Sequence, residues 1–223
     1  MNKGKYIESF VSWQGEGFNT GQRMLILRVK KCNRACIFNG SSCDTNVKMR
    51  ISNEFELPFK EIQKTVNDEK AGILLTGGEP TLDIYIDQTV SVINKIKCHL
   101  FNIETNGVGL EELIKRVNKN KNIIYVLSPK LFNQTDLIGY KRLIDHIRTN
   151  KKVIIKLVTE DRPEIHQFLG WLVETNFDMT RVYLMPQGTF RDEIFRNAPF
   201  VFDMAEKYKT NFSSREHIIY GFV

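Results

Sequence analysis

The chain has 223 residues, of which 42% are hydrophobic, 26% charged and 11% aromatic, a composition that excludes a collagen, a coiled coil and a disordered tail. No window approaches the ~18 apolar residues of a membrane span, and the first ten residues lack the apolar core of a signal peptide, so no membrane is involved and the cytoplasm is the expected compartment. A net charge of +6 suits a nucleic acid or a small anion equally well.

In chain order, short β-branched or apolar runs predict strands at 24–29, 72–76, 99–104, 122–127, 152–158 and 181–185. Helical periodicity is predicted at 58–70, 83–97, 111–118, 137–150, 162–175 and 199–209. Strand and helix alternate, so the expected fold is α/β: a partial, open β/α barrel of about six parallel strands, formed by a single domain over residues 1–223. The densest basic run, Lys115, Arg116, Lys119 and Lys121, closes a helical stretch and reads as a solvated face favoured by the helix dipole, not as a nucleic-acid footprint.

The longest stretch without a pattern, 33–52, carries Cys36 and Cys43 and directly follows Cys32, whereas Cys98 stands alone in an apolar run as a small hydrophobe. A disulfide framework would leave an odd thiol in the cluster and needs an oxidising compartment. Three local thiolates in a reducing compartment suit zinc or an iron–sulfur cluster. Structural zinc wants four ligands and no histidine is near, which leans towards a cubane with one iron left open; a distant residue completing a zinc site stays open at this point.

In β/α folds ligands sit beyond the carboxyl ends of the strands, and the unusual residues fall there. The cysteines follow the first strand, Gly77-Gly78-Glu79-Pro80 the second, Glu104-Thr105-Asn106-Gly107 the third, Ser128-Pro129-Lys130 the fourth and Met185-Pro186-Gln187-Gly188 the sixth. Each alone is an ordinary turn. Together they predict one site combining a metal cluster with exposed backbone and a few polar groups.

These residues resemble the radical S-adenosylmethionine superfamily, through the cysteine cluster and the Gly-Gly-Glu-Pro turn. Within it the chain is similar to the 7-carboxy-7-deazaguanine synthase family, through Ser12-Trp13-Gln14-Gly15-Glu16-Gly17, Gly21, Arg28, Cys32-Asn33, Cys43-Asp44-Thr45, Glu104-Thr105-Asn106-Gly107, Ser128-Pro129-Lys130 and Phe212-Ser213-Ser214-Arg215-Glu216-His217-Ile218. The resemblance implies a [4Fe–4S] cluster on Cys32, Cys36 and Cys43, in a cluster loop at about 31–46. It implies S-adenosylmethionine bound by Gly77, Gly78, Glu79, Glu104, Asn106, Ser128, Lys130 and the backbone near Met185, with cleavage to a 5′-deoxyadenosyl radical. The implied substrate, 6-carboxy-5,6,7,8-tetrahydropterin, would meet Gln14, Glu16, Gly17, Arg28, Gly78 and His217, the last in a closing tail at about 211–223. A guanidinium matches a carboxylate with two bonds. Its ring contracts to 7-carboxy-7-deazaguanine with loss of ammonia, and no side chain is assigned as a catalytic acid or base.

The family's Mg²⁺ would take Thr45, although Asp44 and Thr45 equally suit a turn cap. An electron donor such as flavodoxin or ferredoxin, and a homodimer, are further implications. Six residues separate Cys36 from Cys43, four more than in the superfamily pattern; Gly40 and two serines would leave that loop flexible enough for Cys43 to return. Three rival readings are a glycyl-radical-enzyme activase of the same superfamily, a zinc-stabilised nucleic-acid-binding module, and a relative that binds the cofactor without catalysis.

Overall fold

The computed structural model describes residues 2–38, 40–43 and 51–222. It divides into two compact units, Met1–Gln14 with Gly21–Tyr125, and Gly15–Thr20 with Val126–Val223.

In the first unit β2 (Glu8–Trp13) and β3 (Arg23–Val29) form an antiparallel pair, and β3 continues in parallel register to β7 (Gly72–Gly77) and then β8 (Phe101–Thr105). Leu25 and Leu27 lie opposite Ile73 and Leu75, and Ile26 opposite Leu74. All are buried. Strands buried on both faces need apolar residues at every position, which is why they read as continuous runs and not as alternation. Two short pairs stand apart: β1 (Lys3–Tyr6) with β6 (Phe55–Pro58), and β4 (Ile37–Phe38) with β5 (Ser41–Ser42).

The crossovers of this unit are helical. In α1 (Phe59–Glu69) Phe59, Ile62 and Val66 share one buried stripe, and the left-handed Lys70 ends the helix. Next come α2 (Asp83–Lys95) and α3 (Leu110–Arg116). The basic run is partly tied down: Arg116 pairs with Asp87, and Lys121 donates to the Ile96 carbonyl. The chain passes from one unit to the other within β9 (Ile123–Leu127).

In the second unit β10 (Val153–Thr159), β11 (Val182–Pro186) and β12 (Asn211–Phe212) run parallel. Its helices are α4 (Gln134–Ile147), α5 (Pro163–Glu174), α6 (Arg191–Tyr208) and the short α7 (Glu216–Tyr220). All six predicted strands are present. The last long helix differs from expectation, beginning at Arg191 and not at 199, with Pro199 inside it. The Glu193 carboxylate accepts the Thr189 N–H at 2.7 Å and the Phe190 N–H at 3.3 Å, so the helix starts on that cap and carries the proline as an internal interruption.

Candidate active site

The described residues between Cys36 and Cys43 bring Cys43 back beside Cys36 by strand pairing. Ile37 pairs with Ser42 and Phe38 with Ser41, so the segment closes as a hairpin. The two residues between the inner pair are Asn39-Gly40, the sequence that two-residue hairpin turns favour. Gly40 has φ +80°. Cys43 and Cys36 thereby face each other at the hairpin base, with the Cys43 N–H donating to the Cys36 carbonyl at 3.0 Å. Cys36 is buried, Cys32 and Cys43 are half-buried, and all four cysteines are thiols. Asn106 Nδ2 lies 3.7 Å from Cys32 Sγ. Among the described residues no three His, Cys, Asp or Glu side chains gather at metal-holding distance.

The Gly77-Gly78-Glu79-Pro80 turn is stitched to the start of the cysteine segment. Gly78 N–H donates to Val29 O and Glu79 N–H to Lys31 O, both at 2.8 Å. A Cβ on Gly78 would lie 2.1 Å from Lys31 O, and one on Gly77, at φ +105°, 2.5 Å from Val29 O. Both glycines are therefore required by the protein's own backbone.

Glu79 is 1% exposed. Its Oε1 accepts from Thr81 N–H (3.1 Å), Thr81 Oγ1 (2.7 Å) and Thr105 Oγ1 (2.7 Å), and its Oε2 from Asn106 N–H (2.6 Å). Burial pushes the carboxyl above its ordinary range, against the pull of those hydrogen bonds. The turn after β7 is thus tied to the turn after β8.

Two further candidates in this unit have protein partners. Gln14 Nε2 donates to Glu104 Oε1 at 3.2 Å. Arg28 lies directly opposite Glu8 across the β2–β3 pair, and its Nε donates to Glu8 Oε2 at 2.6 Å, with the side chains 19% and 25% exposed. Gly21, at φ +83°, closes the intervening loop by donating to Gln14 O. Cys98 donates to Leu100 O at 3.1 Å, and burial raises its thiol, in keeping with a structural role.

In the second unit Glu16 is the centre of an ionic group. Lys156 Nζ donates to its Oε2 at 2.7 Å and Arg215 Nε to its Oε1 at 2.9 Å, while His217 Nε2 lies 3.7 Å away. Burial pushes the Glu16 carboxyl up, but Lys156, Arg215 and His217 together outweigh it and hold it well below the usual range. Around this group the tail is bound to 15–17: Gly17 N–H donates to Ser213 Oγ, Glu216 N–H to Gly15 O, and Glu16 bridges Arg215. Ser128, immediately after β9, and Met185, on β11, are buried; Lys130 is half-buried. Lys156 was not among the sequence candidates. Its signal was a lone lysine inside the apolar run Val-Ile-Ile-Lys-Leu-Val of β10, since a charge buried in a strand needs a counter-ion. Thr45 lies outside the described residues.

The three thiols fit an iron–sulfur cluster in donor chemistry, and the hairpin delivers two of them to adjacent positions. Residues 13–135 match the family model described as a 4Fe-4S single cluster domain, and the chain belongs to that family. The chain is 25% identical over 227 residues to the 7-carboxy-7-deazaguanine synthase of Hyperthermus butylicus, covering 96% of this chain and 92% of that one. It is 27% identical to the 7-carboxy-7-deazaguanine synthase of Clostridium acetobutylicum, covering 82% and 80%. Among solved structures it shares the fold of QueE from Escherichia coli, with a TM-score of 0.60 at 19% identity over 96% of this chain and 95% of that chain. Streptococcus suis SuiB bound to S-adenosylmethionine matches with a TM-score of 0.56 at 18% identity, over 86% of this chain and 49% of that one.

Proposed function

We propose that the chain is a radical S-adenosylmethionine enzyme that converts 6-carboxy-5,6,7,8-tetrahydropterin to 7-carboxy-7-deazaguanine with loss of ammonia. The observation that carries this reading is likeness along nearly the whole chain to relatives bearing that activity in their names, joined to membership of the single-cluster family. The activase and zinc-module readings leave the Gln-Gly-Glu-Gly segment and its bonds to the tail without a purpose.

In this reading residues 1–223 act as one catalytic domain. Cys32, Cys36 and Cys43 hold the [4Fe–4S] cluster, with the hairpin setting the last two side by side. Cluster and S-adenosylmethionine, when bound, supply the radical chemistry. Gly77, Gly78, Glu79, Glu104, Asn106, Ser128, Lys130 and Met185 serve S-adenosylmethionine by resemblance. For Glu79 the support is positional: its carboxylate fixes the two turns that present Gly78 and Asn106. Gln14, Glu16, Gly17, Arg28, Gly78 and His217 serve the pterin. Glu16 is held by Lys156 and Arg215, so its orientation is set before any ligand arrives, the preorganisation that binding favours.

Thr45 takes Mg²⁺, a small flavodoxin or ferredoxin delivers the electron, the chain works as a homodimer, and the cytoplasm is its compartment. Among the described residues no helix is long and apolar enough to cross a membrane.

The test is anaerobic turnover of iron-reconstituted protein with S-adenosylmethionine, reductant, magnesium and the pterin, followed by product mass. A product lighter by one ammonia, dependent on every component, is expected. Cleavage of S-adenosylmethionine with the pterin untouched would overturn the substrate and favour the activase.

A further inference from the structure

The carboxamide of Asn106 is held in one orientation from three directions. Its backbone N–H is anchored on Glu79 Oε2 at 2.6 Å. Its side-chain oxygen accepts the Val108 N–H at 3.2 Å, and its side-chain nitrogen donates to Asn33 Oδ1 at 2.8 Å. An amide turned over would set its NH₂ against the Val108 N–H and its oxygen against the Asn33 oxygen, so only one assignment satisfies both contacts. An NH₂ group has two protons, and the same nitrogen lies 3.7 Å from Cys32 Sγ, within hydrogen-bond distance for sulfur. The side chain is 7% exposed as a residue, so water competes poorly for that second proton.

We infer that Asn106 is a positioning residue for the cluster, donating an N–H···S hydrogen bond to its ligand Cys32 and thereby favouring the reduced state. The inference rests on the reading that Cys32 carries a [4Fe–4S] cluster. A thiolate is a stronger acceptor than a thiol, so the bond strengthens once Cys32 is deprotonated. Reduction adds one electron, whose charge is shared with the ligand sulfurs, and donors to those sulfurs are among the factors that set the potential. Asn33 contributes by holding the amide; its own oxygen lies 3.8 Å from Cys32 Sγ, a contact in which the thiol is the donor.

The experiment is a mediated redox titration of the reconstituted holoprotein, without S-adenosylmethionine, followed by electron paramagnetic resonance, with iron and sulfide assayed in parallel. Wild type is compared with Asn106→Ala, Asn106→Ser and Asn106→Asp. Asn106→Ala is expected to keep its iron and to lower the reduction equilibrium about tenfold, which is ~59 mV for a one-electron couple. Asn106→Asp, which adds a negative charge, should fall further. Full clusters with wild-type potentials in the variants would overturn the inference, as would loss of iron in all three, because a donor to one ligand tunes a cluster and does not build it. A shift that appears only when S-adenosylmethionine is added would also overturn it and leave Asn106 acting through that cofactor alone. A wild-type protein that takes up no four-iron cluster would defeat the underlying reading instead.

Discussion

Lys156 Nζ and Glu16 Oε2 meet at 2.7 Å across 140 residues of sequence, with side chains 5% and 16% exposed. Charges this well shielded are coupled, although Glu16 keeps Arg215 and His217 when Lys156 is removed. Lys156→Met is therefore expected to destabilise the protein by less than the roughly 3–5 kcal/mol that an uncompensated buried charge costs, read from urea unfolding. The Glu16→Gln, Lys156→Met double variant should cost less than the sum of the single changes. Additive losses would show that the pair is not coupled.

Glu16 and Glu79 should tilt the pH dependence of stability in opposite directions. Glu16 is depressed, so the stability it lends is present above the ordinary glutamate value of 4.5 and is lost as pH falls through its folded value. Glu79 is raised, so its contribution is complete below 4.5 and is lost as pH rises through its folded value. Glu16→Gln is expected to flatten the acid side of the unfolding profile. Glu79→Gln should remove the component that declines with rising pH. Parallel profiles for wild type and both variants would contradict the two assignments.

Gly15→Ala tests how the tail is seated. A Cβ there would lie 2.4 Å from His217 Nδ1 and 2.8 Å from the His217 backbone nitrogen, and a backbone atom cannot rotate away. The expected result is a loss of roughly 1–3 kcal/mol together with faster proteolysis near residue 213. Unchanged cleavage would mean the tail accommodates the methyl.

Gly78→Ala places a methyl carbon 2.1 Å from Lys31 O, directly ahead of Cys32. It should reduce iron uptake on reconstitution well below that of Gly139→Ala, a control site where nothing lies within 4 Å of the new carbon. Equal iron content in the two variants would separate the turn from the cluster segment.

The parallel strands were legible where a run is apolar throughout and buried on both faces, as in Ile73, Leu74 and Leu75. The cysteine hairpin was also written in the chain, as Asn39-Gly40 between short paired runs, but two-residue strands give too little periodicity to find. Pro199 hid the first two turns of α6, because the cap at Glu193 is recognised only once its bonds to 189 and 190 are seen. The candidate residues could be named one by one, whereas their partners could not. Nothing local to Glu16 announces Lys156 or Arg215, and nothing local to Arg28 announces Glu8, since ion pairs form where the fold brings elements together.

The β4–β5 hairpin changes what the distance between two cysteines along a chain means. In an antiparallel ribbon the two residues at the base stay opposite each other however far the ribbon is extended, provided residues are added in pairs, one to each strand. Cys36 and Cys43 bracket such a ribbon, so their spacing can grow by even steps while their mutual placement is preserved, and an odd step would turn one of the two side chains to the opposite face. The invariant of this motif is then parity and closure, and a pattern that counts residues between thiols will pass over chains in which the ribbon has lengthened.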